Sequence, residues 1–130
     1  AVNMGSRTAK EDVLVGGLDD WADAGWVWQS TECSGLLDRA ERRSLTFGLI
    51  AELVMEELMI PGDIVNKTHV PWQCTKGEAI ERIIREWLCE WRDEIPNPGA
   101  IVWLSNTSTG DEIARGVLRR EASAYENAGE

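Results

Sequence analysis

Histidine is almost absent from this chain. There is one, His69, in 130 residues, with three cysteines and no CxxC, HxxxH or DxDxDG pattern. Zinc sites draw on closely spaced Cys and His, and EF-hand loops on alternating acids around a glycine, so neither metal site is spelled out. Cys33, Cys74 and Cys89 are an odd number, which excludes a fully paired disulfide framework. They read as reduced, mostly buried thiols of a cytoplasmic protein. Base is scarce as well: 13 Lys and Arg stand against 23 Asp and Glu, for a net charge of −10. Nucleic-acid affinity comes largely from neutralising phosphates. The overall field here repels nucleic acid and anionic membranes and attracts a basic partner, while the same charge also serves solubility. The longest mainly apolar run is broken by Glu52, Glu56 and Glu57, and no signal peptide is apparent, so no membrane segment is expected.

Catalytic patterns are equally thin. His69 lies in "NKTHVPWQC", read as a loop between helices, and nothing fixes Cys74 or a carboxylate beside it. His69 is expected to pack on Trp72 or to face water. Asp19-Asp20 and Glu56-Glu57 are neighbours in sequence and point apart on a helix, so neither pair forms an acid/base dyad. Gly16-Gly17 lacks the rest of a phosphate loop. The chain is expected not to be an enzyme, and to use no cofactor and no metal.

What is present is a foldable composition: 43% hydrophobic residues, with seven tryptophans. Residues 1–12, "AVNMGSRTAKED", show no periodicity and are expected to form a flexible tail before a single domain over 13–130. Trp26 and Trp28 alternate around Val27, which predicts a short strand or extended segment; residues 13–22 fit a short helix as well. Leu45, Leu49, Ile50, Leu53, Val54 and Leu58 recur at helical spacing. That helix is expected to break near residues 42–45, where Ser44 can cap, and to stop at Pro61-Gly62.

The clearest pattern is "TKGEAIERIIREWLCEWRDEI", residues 75–95. Thr75 and Glu78 form a capping box, in which each satisfies a free amide of the first turn. Ile80, Ile83, Ile84, Trp87, Leu88, Trp91 and Ile95 follow on one face, so the two tryptophans are expected in the core. "AIVWL", residues 100–104, predicts a buried strand, and "TGDE", residues 109–112, a second capping box before a closing helix. The sum is a mainly helical α+β domain, with about four helices and a small β-hairpin or sheet.

The acids of residues 75–95 divide. Glu78–Arg82, Glu81–Arg85 and Arg82–Glu86 can pair at i,i+4 as a balanced, solvated face. Glu86, Glu90, Asp93 and Glu94 fall on one stripe at i, i+4, i+7 and i+8 with Arg92 as the local base, at the helix end whose dipole disfavours negative charge. This stripe is the first candidate partner-binding site, and Asp19, Asp20 and Asp23 around Trp21 are the second.

Two resemblances add expectations. "LIAELVMEELMIPGDI" resembles the helix, stop and first wing strand of a winged-helix domain. "IVWLSNTSTGDEIARGVL" is similar to the second wing strand and closing helix of MarR-type regulators. The resemblance implies a winged-helix-like form in which residues 76–95 are an inserted helix. It also implies a DNA-binding dimer using Arg39, Arg42, Arg43, Arg115, Arg119 and Arg120. The corresponding recognition helix, however, carries Glu52, Glu56 and Glu57 and no Lys or Arg after Arg43, where groove contacts need donors. In size, acidity, tryptophan content and lack of chemistry the chain also resembles immunity proteins of bacterial toxin systems. That resemblance implies a non-catalytic, cytoplasmic antitoxin whose carboxylates occlude a basic partner such as a toxin nuclease. The acidity and the lack of catalytic patterns favour this second implication, with the DNA-binding regulator as the alternative.

Overall fold

The structure is a computed structural model that describes residues 7–35 and 37–128. The first six residues of the expected tail, Leu36, and the side chains of Cys33 and Ser34 lie outside the described residues. In chain order the elements are α1 (Ala9–Gly16), β1 (Ala22–Asp23), α2 (Ala24–Ser30), a 3-10 turn (Thr31–Ser34) and α3 (Arg39–Met55). They continue with β2 (Met59–Val65), β3 (Thr68–Pro71), α4 (Lys76–Glu86), a π turn (Trp87–Trp91), β4 (Trp103–Asn106) and α5 (Ser108–Ala128). The fold is mainly helical α+β. The four strands form one antiparallel sheet in the order β1-β4-β2-β3.

Side-chain caps set most helix starts. Thr8 with Glu11, Asp38 with Glu41, and Thr75 with Glu78 each make a reciprocal capping box. The first starts α1 at Ala9, so residues 9–12 of the expected tail are helical. The second explains why α3 is one unbroken helix: its start is fixed at Asp38, and Ser44 lies inside it as an exposed helical residue with no cap to make. The last helix starts earlier than expected. Thr107, not Thr109, is the capping side chain, and its Oγ1 accepts from the Gly110 N–H at 3.1 Å.

Two expected elements change type. Trp26-Val27-Trp28 is helical, because Asp23 caps α2 by accepting from the Trp26 N–H at 2.9 Å. Pro61-Gly62 does not stop α3 but lies in β2. The helix ends at Met55, where Glu57 takes a left-handed φ of 59° and the Leu58 N–H turns back to the Leu53 carbonyl at 3.0 Å. Pro61 is tolerated because its missing N–H falls on the β3 side, one residue past the end of that ladder at Gly62–Pro71. Gly62 is required there: a Cβ would run into the Val70 carbonyl and the His69 ring. β4 begins at Trp103, so of the predicted 100–104 strand only Trp103 and Leu104 pair.

The core gathers α1, α2, α3, α4 and, through Ala114, α5 with Met59 of β2 and Leu104 of β4. Trp28 of α2 stacks on Trp87 at 5.9 Å between ring centroids, and Phe47 of α3 meets Trp87 edge-on at 5.4 Å. Leu14, Ile50, Leu53, Ile83 and Leu104 close around them. Of the wing-like pieces, α3 does lead into the β2–β3 hairpin and β4 pairs with β2, with α4 interposed.

Candidate functional site

The inner face of α4 is Ala79 and Ile83, and Trp87 of the π turn continues it; all three are buried. Trp91 is half-buried against the same core. The two tryptophans of residues 75–95 therefore belong to the core, Trp87 fully and Trp91 in part. The apolar arc of this helix is wider than the core it meets. Ile80 and Ile84 are half-buried and Leu88 is 42% exposed.

The predicted acidic stripe assumed a continuous helix to residue 95. Instead α4 gives way to a π turn at Trp87, where the Arg92 N–H donates to the Trp87 carbonyl at 2.8 Å, and Arg92 takes φ 53°. That reversal takes Asp93 and Glu94 off the stripe. Both are exposed, and the Asp93 carbonyl accepts from Arg39 Nη1 at 3.3 Å. Glu90 still acts on Glu86, and Asp63 of β2 adds a weaker negative charge. The Glu86 carboxyl is held above the usual carboxylate range, first by its own burial, then by the negative charge of Glu90, with Asp63 adding to it and Arg82 opposing. Sequence spacing could not reveal Asp63, because its charge reaches Glu86 from a different element.

Of the expected i,i+4 pairs, Glu81–Arg85 forms at 2.8 Å between exposed side chains. Glu78 is taken by the cap, and the Thr75 backbone amide holds its carboxyl below the usual range. Arg82 lies 3.7 Å over the Trp72 ring, a cation–π contact. Among the described residues no hydrogen bond reaches the Glu86 carboxylate.

The second acidic group divides as well. Asp23 is structural. Besides capping α2, its second oxygen accepts from the Gly99 N–H at 2.8 Å and ties the 96–99 loop to the helix. Asp19 and Asp20 are exposed and line a polar cleft of about 350 Å³ with Trp21, Asn106 and Asp111. Asn106 is held there by donating to the Leu14 carbonyl at 2.8 Å and to Asp111 Oδ1 at 3.1 Å.

His69 lies in β3 rather than in a loop. Its Nε2 donates to the Trp103 carbonyl across 2.9 Å, since a carbonyl can only accept. It thus braces the sheet instead of packing on Trp72 or facing water. Cys74 and Cys89 are exposed, against the expectation of buried thiols. Among the described residues no group of three His, Cys, Asp or Glu is placed to hold a metal ion, and no helix is long and apolar enough to cross a membrane.

The arginines offered for DNA contact divide between α3 and α5. Arg42 is used inside the fold: it donates to Thr31 Oγ1 at 2.7 Å and to the Trp28 carbonyl at 2.9 Å, and lies 5.0 Å over the Trp28 ring. Arg43 lies 6.0 Å over Phe47. Arg120 makes two hydrogen bonds to the Glu11 carboxylate, at 2.8 and 3.1 Å, which hold that carboxyl down at about 2. No protein family, curated protein or solved structure matches the chain.

Proposed function

We propose that this chain is a non-catalytic binding protein that engages a basic protein partner through the acidic end of α4, in the manner of an antitoxin occluding a nuclease. One observation carries the reading. Glu86 is a partly buried carboxylate that feels the charge of Glu90 and, more weakly, of Asp63; it is opposed by an arginine stacked on Trp72 and among the described residues receives no hydrogen bond. Such a site is electrostatically unfavourable in the free protein and is relieved by a cation brought from outside. A partner's Lys or Arg seated there would be drawn first by the net charge of −10. The partner-binding set becomes Glu86, Glu90 and Asp63, flanked by the exposed Asp93 and Glu94. Asp19, Asp20 and Trp21 form a separate patch, and Asp23 leaves the set. The DNA-binding alternative draws less support, because Arg42 and Arg120 are engaged within the fold.

The test uses two baits, the wild-type chain and a Glu86→Gln/Glu90→Lys variant, against a lysate of the source cells, with salt elution and mass spectrometry. The expected result is one basic protein retained by the wild type, lost from the variant, and inhibited in its own activity by the wild-type chain. Equal retention by both baits, or recovery of nucleic acid, overturns the reading.

A further inference from the structure

The outer face of α4 is an unfilled apolar groove. Gly77, Ile80, Ile84 and Leu88 recur at i, i+3, i+7 and i+11 and line a depression of about 540 Å³, with Glu81, Arg85 and Cys89 at its edge. Gly77 adds depth, since a Cβ there would meet nothing within 4 Å. The groove does not end in solvent. Arg85 and Cys89 also line an adjoining depression of about 360 Å³, whose other walls are Arg82 and Glu86. One continuous surface therefore runs from an apolar trough to Glu86.

We propose that this surface is the docking site for a basic amphipathic helix, a segment of the protein partner. The inference rests on the reading of the acidic cluster given above and deepens it. The 11 residues of α4 span about 16 Å, enough for a two- to three-turn helix to lay apolar side chains at i, i+4 and i+7 into the trough. Arg85 is paired with Glu81, and Arg82 offsets one of the two acids at the far end, so Glu86 with Glu90 leaves one net negative charge there. A helix carrying leucine-like anchors and flanking lysines or arginines matches both features. A second copy of this chain matches only the first, because it would bring another net charge of −10 against the same acids. The apolar face supplies the anchor and the acids set orientation and on-rate.

The experiment uses a fluorescein-labelled synthetic peptide of about 14 residues, with leucines at i, i+4 and i+7 and lysines on the flanks, and a scrambled peptide of the same composition. Anisotropy titrations are run on the wild type, Leu88→Glu and Glu90→Lys; both positions are exposed, and circular dichroism checks that the variants fold. Alkylation of the two exposed thiols is followed by peptide mapping, Cys89 as the reporter in the groove and Cys74 as the control outside it. The expected result is binding of the amphipathic peptide that weakens about tenfold or more on scrambling and on Leu88→Glu. Alkylation of Cys89 should slow in the complex while that of Cys74 is unchanged. Equal binding of the scrambled peptide, indifference to Leu88→Glu, or an unprotected Cys89 overturns the groove. So does a wild-type dimer in size-exclusion chromatography that Leu88→Glu dissociates. Loss on Glu90→Lys with none on Leu88→Glu overturns the helix-docking inference alone. Loss on Leu88→Glu with none on Glu90→Lys overturns the acidic reading beneath it and the basic character of the occupant.

Discussion

Asp23 and Glu86 are both acids from tryptophan-rich, acidic stretches, and the folded chain treats them in opposite ways. Both Asp23 oxygens are used, one by the Trp26 N–H and the other by the Gly99 N–H. Glu86 is partly buried, feels the charge of Glu90 and, more weakly, of Asp63, and is held above its usual pKa. The difference teaches how a charged side chain can be sorted between architecture and surface chemistry. A carboxylate that satisfies backbone donors stabilises the fold at that point. One that is desolvated beside its own kind destabilises the free protein and becomes an asset only when a cation arrives. α4 and its π turn carry the same contrast in apolar form, with Trp87 stacked inside and Leu88, the next residue, facing out.

That apolar contrast predicts the largest effect. Trp87→Ala should cost about 3–5 kcal/mol in a urea titration, through lost burial and a cavity between Trp28 and Phe47. Leu88→Ala should stay within about 0.5 kcal/mol. Similar losses at both positions would mean that the outer face is packed after all. Next is Asp23→Ala, which removes a helix cap and strands the Gly99 amide; the same titration should show a loss of about 2 kcal/mol, against almost none for Asp19→Ala.

The Glu11–Arg120 pair sharpens the comparison through pH. Glu11 titrates at about 2 in the folded chain against an ordinary 4.5, so its contribution is present above the unfolded value and is lost as pH falls through that window. Glu11→Gln should therefore destabilise at neutral pH, by about 1 kcal/mol for a surface pair, and the difference should shrink as pH falls from the usual carboxylate range toward the folded value. Glu86 has the opposite sign. Its folded pKa is raised, so the penalty is absent below the usual 4.5 and appears as pH rises through the raised value. Glu86→Gln should then stabilise at neutral pH by about 0.5 kcal/mol and converge with the wild type in acid. If thermal melts show Glu86→Gln to be destabilising at pH 7, the cluster is satisfied and the contrast with Asp23 fails.

Much of this was legible along the chain where local chemistry decides. Thr75 with Glu78 marks the α4 start because a capping box needs only residues three apart. The same rule applied at Thr8 with Glu11 and at Asp38 with Glu41 would have placed the starts of α1 and α3. The reading of Trp26–Trp28 as extended failed because three residues cannot distinguish a period of two from the start of a helix, and the Asp23 cap decided it. Of the acidic stripe, Glu86 and Glu90 stay close enough for the Glu90 charge to act on Glu86. Asp93 and Glu94 left the stripe because a π turn breaks the register on which their spacing depended.

The net charge, the amphipathic character of α4 and the lack of metal-site and nucleotide-loop spacings follow from residue order alone, since these depend on composition and on contacts within a turn or two. Packing between elements settled which apolar residues of α4 the core covers, that the Asp63 charge reaches Glu86, and that Asp23 and Arg42 serve the fold. Each of those outcomes depends on which element packs beside which, and a pattern of spacing along one strand or helix carries no information about the charge or surface that another element brings against it.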